Sequence, residues 1–279
     1  MRRLLLLAIP ACACLAPGCG IISWLRGDNV AQEAAVPSPE QLPDDVPALL
    51  AAADRAQARG TATGARSAVV ALTKARGLAP EDPEVTWREA RSQFWLSQYG
   101  PQDAQLAAAQ AALEAAEEMV RRRPDRAEGH YFRGAALGVI AAADPGKGLT
   151  TLTDEVLPAL ERAAELDERN LQAAARRALG AIYLKAPSYP AGPGDLDAAL
   201  ENLERACRLA PGWPENHLFL AEALYADHDL AAAKRAARRT VSLLKDAPGQ
   251  DAALWRSRAK SLLRQIRETR HRGRDSTNF

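Results

Sequence analysis

The sequence of 279 residues has few aromatic side chains and almost no net charge. Aromatic residues make up 5% of the chain, while 47% of it is hydrophobic, much of this alanine and leucine. β-Branched residues are sparse and helix formers dominate, so the composition predicts an all-α fold. The net charge of +1 gives no electrostatic support for a nucleic-acid partner. The length suffices for one large or two small domains.

Signatures of catalysis and of metal or cofactor binding are also missing. No histidine has a metal-ligand spacing such as H-E-x-x-H, and neither a G-x-S-x-G motif nor a phosphate-binding loop occurs. Asp195 and Asp197 lie close together, but at a place where carboxylates suit the start of a helix. We therefore predict no enzyme, no metal and no cofactor. A hydrolase would need a convergent polar cluster that the sequence does not show.

Cysteine is scarce outside the first 19 residues, which hold three of the four cysteines. The remaining one, Cys207, can form neither an internal disulfide nor a metal cluster, and its apolar helix face predicts a buried thiol. The first residues have the pattern of a secretory signal. Arg2 and Arg3 supply positive charge, and residues 4–15 form an apolar stretch too short to span a membrane.

The segment Leu15-Ala16-Pro17-Gly18-Cys19 resembles the lipobox of bacterial lipoproteins. The resemblance implies a signal peptide over residues 1–18, a lipid on Cys19 and a membrane anchor. It departs from the family at Ala16, where a leucine is usual. Cys12 is a second candidate, and ordinary signal cleavage without a lipid is the alternative. No aspartate follows Cys19, which implies the outer membrane, with the folded part in the periplasm.

The two ends of the remaining chain differ from its middle. Residues 19–45 have no helical period and contain three prolines, so we predict a flexible tether. An apolar stripe at helical spacing predicts a capping helix over residues 249–271, followed by a basic, disordered tail over residues 272–279. We interpret the arginines of this end as solubilising charges that suit a helix C-terminus.

The middle of the chain repeats one helical pattern. Three segments have a small residue at the eighth position and a large apolar residue at the eleventh: AEGHYFRGAAL (127–137), AAARRALGAIY (173–183) and PENHLFLAEAL (214–224). The small residues are Gly134, Gly180 and Ala221. A small residue there lets two helices approach closely, and such helix pairs must stack to bury their apolar faces.

These pairs resemble tetratricopeptide repeats, in which helix A carries Trp, Leu-Gly and Tyr, and helix B carries Ala, Phe and Ala before a Pro. Residues 194–200 (GDLDAAL) match the start of helix B, and Trp87 stands at the motif's tryptophan. The resemblance implies a right-handed α-solenoid of about five helix pairs over residues 46–248, followed by the capping helix. The units end at Pro80, Pro124, Glu168 and Pro211, spacings of 44, 44 and 43 against the usual 34.

Part of this excess length lies between helices A and B of the middle units. The enlarged connections are residues 97–102, 141–148 and 186–194. Insertions in stacked repeats lie on one side, so we expect the three to line one edge of the solenoid. Tyr99 and Tyr189 would lie on that edge, where they could cap the groove or meet a partner.

In the tetratricopeptide family the concave face is lined by helix A. The resemblance implies that the residues at the corresponding positions of this chain line the concave face: Arg88, Trp95, Tyr131, Phe132, Arg177, Phe219, Glu222 and Tyr225. Aromatic and arginine side chains are the usual anchors of a recognition surface. The alternative is that several of them pack against the neighbouring helix A or the capping helix. The sequence leaves both interpretations open.

The resemblance thus implies a non-enzymatic scaffold of the cell envelope that holds a protein or peptide partner in its concave groove. A second candidate is the T component of tripartite ATP-independent periplasmic transporters, which has a similar architecture. It would bind a small apolar ligand inside its repeats and a solute-binding protein outside. An enclosed apolar cavity would favour the second candidate and an open groove the first. No oligomeric state is predicted.

Overall fold

The computed structural model describes residues 35–144 and 146–275, the last six as backbone only. Its helices are α1 (Val46–Gln57), α2 (Ala62–Leu78), α3 (Pro83–Tyr99), α4 (Gln105–Arg122), α5 (Ala127–Ala143), α6 (Gly148–Thr151), α7 (Leu157–Asp167), α8 (Asn170–Lys185), α9 (Leu196–Leu209), α10 (Pro214–Ala226), α11 (Leu230–Leu243) and α12 (Gln250–Asp275). A π-helical turn, Leu152–Val156, joins α6 to α7 without a break. The described residues form no β-strand.

Short polar side chains fix where many of the helices begin. Asp45 accepts a hydrogen bond from the Ala48 amide at 2.9 Å, and Thr61 accepts one from the Gly64 amide at 3.0 Å. Asp82, Asp195 and Asp229 do the same at the starts of α3, α9 and α11. Such caps satisfy amides that have no partner within the helix.

The helices pack in consecutive pairs: α1 with α2, α3 with α4, α5 with α7, α8 with α9, and α10 with α11. Helix α12 packs on α10 and α11 and covers the end of the array. The prediction of an all-α solenoid of about five pairs and a capping helix is therefore confirmed. The apolar clusters within and between the pairs are rich in alanine, which allows the helices to approach closely.

Two glycines of the repeated pattern lie where the two helices of a pair approach closely. A Cβ atom on Gly134 would come 2.9 Å from Leu160 Cγ, and one on Gly180 would come 2.5 Å from Leu203 Cγ. Both distances are shorter than carbon atoms tolerate, so only glycine fits without a shift. These contacts explain the small residue at the eighth position of each unit.

Both ends of the solenoid are more ordered than the sequence predicts. Within the predicted tether, residues 35–45 include a 3-10 turn, Pro39–Gln41, held by Lys74. The Lys74 ammonium donates to the carbonyl oxygens of Pro39 and Leu42 at 3.0 and 2.8 Å. At the other end α12 continues to Asp275, into the predicted tail. The predicted signal peptide, Cys12, Cys19 and the last four residues lie outside the described residues.

The first residues of α8, which follow the turn after α7, have a left-handed backbone. Leu171, Gln172 and Ala173 have φ angles of 48°, 58° and 61°, a conformation that side chains with a Cβ rarely adopt. The other turns between units contain Pro80, Pro124 or Pro211 instead. The left-handed turn directs the Gln172 carbonyl toward Arg177 and Asn216, which both donate to it.

Two of the enlarged A-to-B connections lie side by side. A Cβ atom on Gly192 would come 3.3 Å from Leu149 Cδ1, so the loop after α8 contacts the start of α6. The loop is closed on itself by a hydrogen bond of 2.8 Å from the Gly194 amide to the Pro187 carbonyl. Among residues 35–144 and 146–275, no helix combines the length and hydropathy that crossing a bilayer requires.

Candidate functional site

The start of the capping helix contacts the first helix pair and the end of α3. The Gln250 amide donates to the Gly60 carbonyl at 2.7 Å, and Gln250 Nε2 donates to the Tyr99 carbonyl at 3.3 Å. Gly60 and Gly249 have φ angles of 61° and 101°, which glycine adopts readily. The start of α12 therefore lies beside the A-to-B connection of the first pair and the end of α3.

Aromatic side chains and a carboxylate line the junction between α3 and α12. The rings of Trp95 and Tyr99 lie 4.8 Å apart. Burial raises the pKa of the Asp251 carboxyl, and the negative charge of Glu215 raises it further. Hydrogen bonds from the Ala252 amide and from Trp95 lower the pKa in part. Burial also raises the pKa of the Tyr99 phenol well above its usual range. The Asp251 carboxyl and the Tyr99 phenol are thus partly shielded from solvent at this junction.

A second set of polar side chains joins α8 to α10. The Arg177 guanidinium lies 3.0 Å from the Glu215 carboxylate and donates to Asn216 Oδ1 at 2.8 Å. Asn216 is fully buried, and its amide also donates to the Ala206 carbonyl at 3.0 Å. Burial raises the pKa of the Tyr131 phenol beside this pair. Arg177 is therefore held from both sides by neighbouring repeats.

The far end of the inner face carries an ion-pair chain. Glu222 lies 3.0 Å from the Lys185 ammonium and 2.7 Å from the Arg258 guanidinium. The same guanidinium lies 5.1 Å from the centre of the Phe219 ring, within cation–π range. Three helices, α8, α10 and α12, thus contribute to one charged and aromatic patch.

The near end of the inner face has a similar arrangement. Arg88 pairs with Asp54 at 3.1 Å and with Glu84 at 2.7 Å, and it lies 4.4 Å from the centre of the Trp87 ring. Burial alone would raise the pKa of Glu84, but hydrogen bonds from Trp87, Arg88 and Arg126 lower it to about 2. Glu84 is therefore ionised throughout the ordinary pH range.

The eight residues assigned to the groove divide into two groups. Tyr131, Phe132 and Arg177 are at least nine-tenths buried, with Phe132 in the core between units. These three follow the alternative interpretation, in which the side chain packs against neighbouring helices. The other five are partly exposed: Arg88, Trp95, Phe219, Glu222 and Tyr225. Of these, Tyr225 packs against the apolar cluster of α11 and the capping helix, as the alternative interpretation has it.

The two tyrosines assigned to the loop edge are placed differently. Tyr189 is 90% exposed at the tip of the loop after α8. Tyr99 is half-buried against Trp95 at the closing contact with α12. The structure therefore does not present both rings on one exposed edge, because Tyr99 packs against Trp95.

Sequence reasoning missed Glu215 on α10 and both Asp251 and Arg258 on α12. The apolar period of α12 predicts that Trp255 is buried, and it is. The contacts of Gln250 and Asp251 with the first helix pair depend on the curvature of the whole array. No local pattern in the sequence reports that curvature.

The histidines and the cysteine of the repeats make structural contacts. Among residues 35–144 and 146–275, no three His, Cys, Asp or Glu side chains cluster so as to hold a metal ion. His130 and His217 contact the carbonyl oxygens of Pro124 and Pro211 at 3.0 and 2.9 Å, the same contact in two repeats. Burial raises the pKa of Cys207 to about 12, which keeps it a neutral thiol.

Comparisons with known proteins bear on the fold. No family model and no curated protein matches the chain. It is similar to the crystal structure of TTC0263, a thermophilic TPR protein in Thermus thermophilus, with a TM-score of 0.62 and 23% identity over 78% of this chain and 99% of that one. The crystal structure of MamA protein matches with a TM-score of 0.42 and 18% identity over 72% of this chain and 92% of that one. The chain has the fold of tetratricopeptide-repeat proteins.

Proposed function

We propose that the protein is a non-enzymatic scaffold that binds a protein or peptide partner on the inner face of its solenoid. One observation carries the proposal: partly exposed aromatic and charged side chains from separate repeats converge there. Trp95 comes from α3, Phe219 and Glu222 come from α10, and Arg258 comes from α12. Aromatic side chains of this kind anchor apolar groups of a partner, and the charged side chains orient the partner by ion pairing.

The charge pattern suggests what kind of segment would fit. Lys185 and Arg258 each contact one oxygen of the Glu222 carboxylate, so two cations share one negative charge and a partner carboxylate could pair with either of them. Phe219 and Trp95 offer ring faces for an apolar or aromatic side chain. We therefore propose a peptide segment that combines an acidic residue with a large apolar one.

Site-specific photocrosslinking in cells tests the binding face. A photoreactive residue at position 219 should give an adduct with a partner, whereas one at Leu106, 45% exposed on α4, should not. The identified partner should then bind Phe219→Ala at least about tenfold more weakly, with unchanged melting. Equal adducts from both positions, or unaltered binding by Phe219→Ala, would contradict the inner-face site.

We further propose that the scaffold is anchored by a lipid on Cys19 and faces the periplasm, most simply from the outer membrane. The lipobox-like segment and the apolar stretch before it support this location. Cell fractionation of Cys19→Ala tests it, with Cys12→Ala as the matched variant. Loss of membrane association in the first variant alone is the expected result. Unchanged association of Cys19→Ala would argue against this anchor.

A second function is favoured by the contact between the two ends of the array at Gln250 and Gly60. An inner face enclosed by this contact would suit a small apolar ligand better than an extended peptide, as in the transporter-associated T component. Native mass spectrometry of the purified protein separates the two candidates. A retained small molecule that Phe219→Ala releases would favour the transporter role, and its absence with peptide binding intact would favour the scaffold.

A further inference from the structure

The charges of the chain are strongly segregated between its repeats and its end. Residues 230–279 contain 13 Lys and Arg against four Asp and Glu, a net charge of +9. Residues 35–229 contain 20 and 29, a net charge of −9. The overall charge of +1 therefore conceals a molecule with one acidic and one basic end.

The basic charges are exposed on the outer sides of α11 and α12. On α11, Arg235, Arg238 and Arg239 follow helical spacing and are exposed, opposite the buried Ala233 and Ala237. No ion pair involves these three arginines among the described residues. Within that part of the chain their cations face water and have no carboxylate partner.

Helix α12 adds a second stripe next to the first. Lys260, Arg264 and Arg267 are exposed and share one side of the helix. Nearby on the same side, Leu263 packs in a cluster with alanines of α11, and Arg256 donates to the Leu244 carbonyl at 3.0 Å. The stripe therefore lies on the side of α12 that borders α11. The six side chains lie on two helices that pack against each other and are here called the basic face.

The chemistry of the basic face selects among anionic partners. None of the exposed large hydrophobic side chains in the described residues lies on α11 or α12. A specific protein interface usually has an apolar, water-free centre, which this surface does not offer. Solvent-exposed cations on two helices can instead be attracted by the phosphates of many lipids at once, without a fixed contact surface.

We propose that the basic face binds an anionic lipid bilayer through electrostatic attraction to its headgroups. The acidic repeats, with a net charge of −9, are repelled by the same bilayer, and this repulsion favours an orientation in which they point away from it. The solenoid would thus stand on its C-terminal end, with the acidic repeats directed away from the lipid. This orientation is independent of any lipid on Cys19.

Vesicle flotation of the full chain tests the proposal. Phosphatidylglycerol-containing vesicles are compared with pure phosphatidylcholine vesicles, because the apolar N-terminal segment contributes to both. A basic-face variant carries Gln at positions 235, 238, 239, 260, 264 and 267. A matched control carries Gln at six exposed basic positions without an ion pair in the described repeats: 55, 59, 66, 121, 147 and 169.

The basic-face variant should bind the anionic vesicles at least about tenfold more weakly than the wild type, and the control less than about threefold. Raising the salt to about 1 M should abolish the preference of the wild type for anionic vesicles. Equal losses in the two variants, or no loss in the first, would overturn the proposal. A loss of self-association in place of vesicle binding would also overturn the proposal, because it would assign the face to a second copy of the chain.

If the sixfold variant does not fold, the vesicle experiment is carried out with a variant that has only the three α11 substitutions.

Discussion

The amide of Gln250 donates a hydrogen bond of 2.7 Å to the carbonyl oxygen of Gly60, joining the start of the last helix to the first helix pair. Asp251 lies beside this bond, since a Cβ atom on Gly60 would come 2.7 Å from Asp251 Oδ1. The contact exists because the array curves enough to bring its two ends together. A substitution that disrupts this contact therefore tests whether the two ends of the array meet.

Gly249→Ala should open this contact. Gly249 has a φ of 101°, which alanine adopts at a cost of about 1–3 kcal/mol, and the new Cβ would lie 2.8 Å from Asp251 Oδ1. Hydrogen exchange of the Gln250 amide should therefore become faster. Gly77→Ala is the control, since nothing lies within 4 Å of its Cβ position in α2, and it should stabilise the protein slightly. An unchanged exchange rate at Gln250 would contradict the closure.

Gly180→Ala should destabilise the protein by about 1–3 kcal/mol, because its Cβ would collide with Leu203 at 2.5 Å. Gly138→Ala on α5 is the control, since its new Cβ would have its nearest neighbour 3.9 Å away, and it should be neutral or slightly stabilising. Urea unfolding measures both. If the two variants change the free energy of unfolding alike, close approach at the eighth position is not what selects glycine.

Asn216→Ala should lower the free energy of unfolding by about 1–3 kcal/mol, because it removes a buried donor and acceptor together. The substitution leaves the carbonyl oxygens of Ala206 and Ala210 without this donor and deprives Arg177 of one partner. Asn202→Ala, at a half-buried position, is the control and should cost less. A loss no larger than that of the control would show that the network contributes little.

Glu84→Gln should change the response of the protein to acid. The pKa of Glu84 is lowered to about 2 in the folded state, so its ionised form stabilises the protein above the unfolded pKa. That contribution is lost as the pH falls from the ordinary carboxyl range through about 2. Thermal melts across this window should show a shallower acid decline in the variant. Glu81→Gln, at an exposed position, should keep the wild-type profile.

The helical pattern predicted the pairs, the turns between them and the close contacts of Gly134 and Gly180, because these depend on local periodicity and residue size. It did not predict that Tyr131 and Arg177 would be buried. Their positions in the repeat place them on helix A, but their burial depends on how tightly the array curves. Curvature is a sum of small rotations between units, and inserted loops change each of them. The roles of Asp251 and Glu215 were missed for the same reason.

The contact between Gln250 and Gly60 has a consequence for how the molecule unfolds. In an open repeat array each unit contacts only its neighbours, so the terminal units can fray independently. Here the first pair and the last helix hold each other, and the release of either removes support from both. Terminal fraying is thereby coupled across the whole chain, which gives a repeat protein some of the cooperativity of a globular domain.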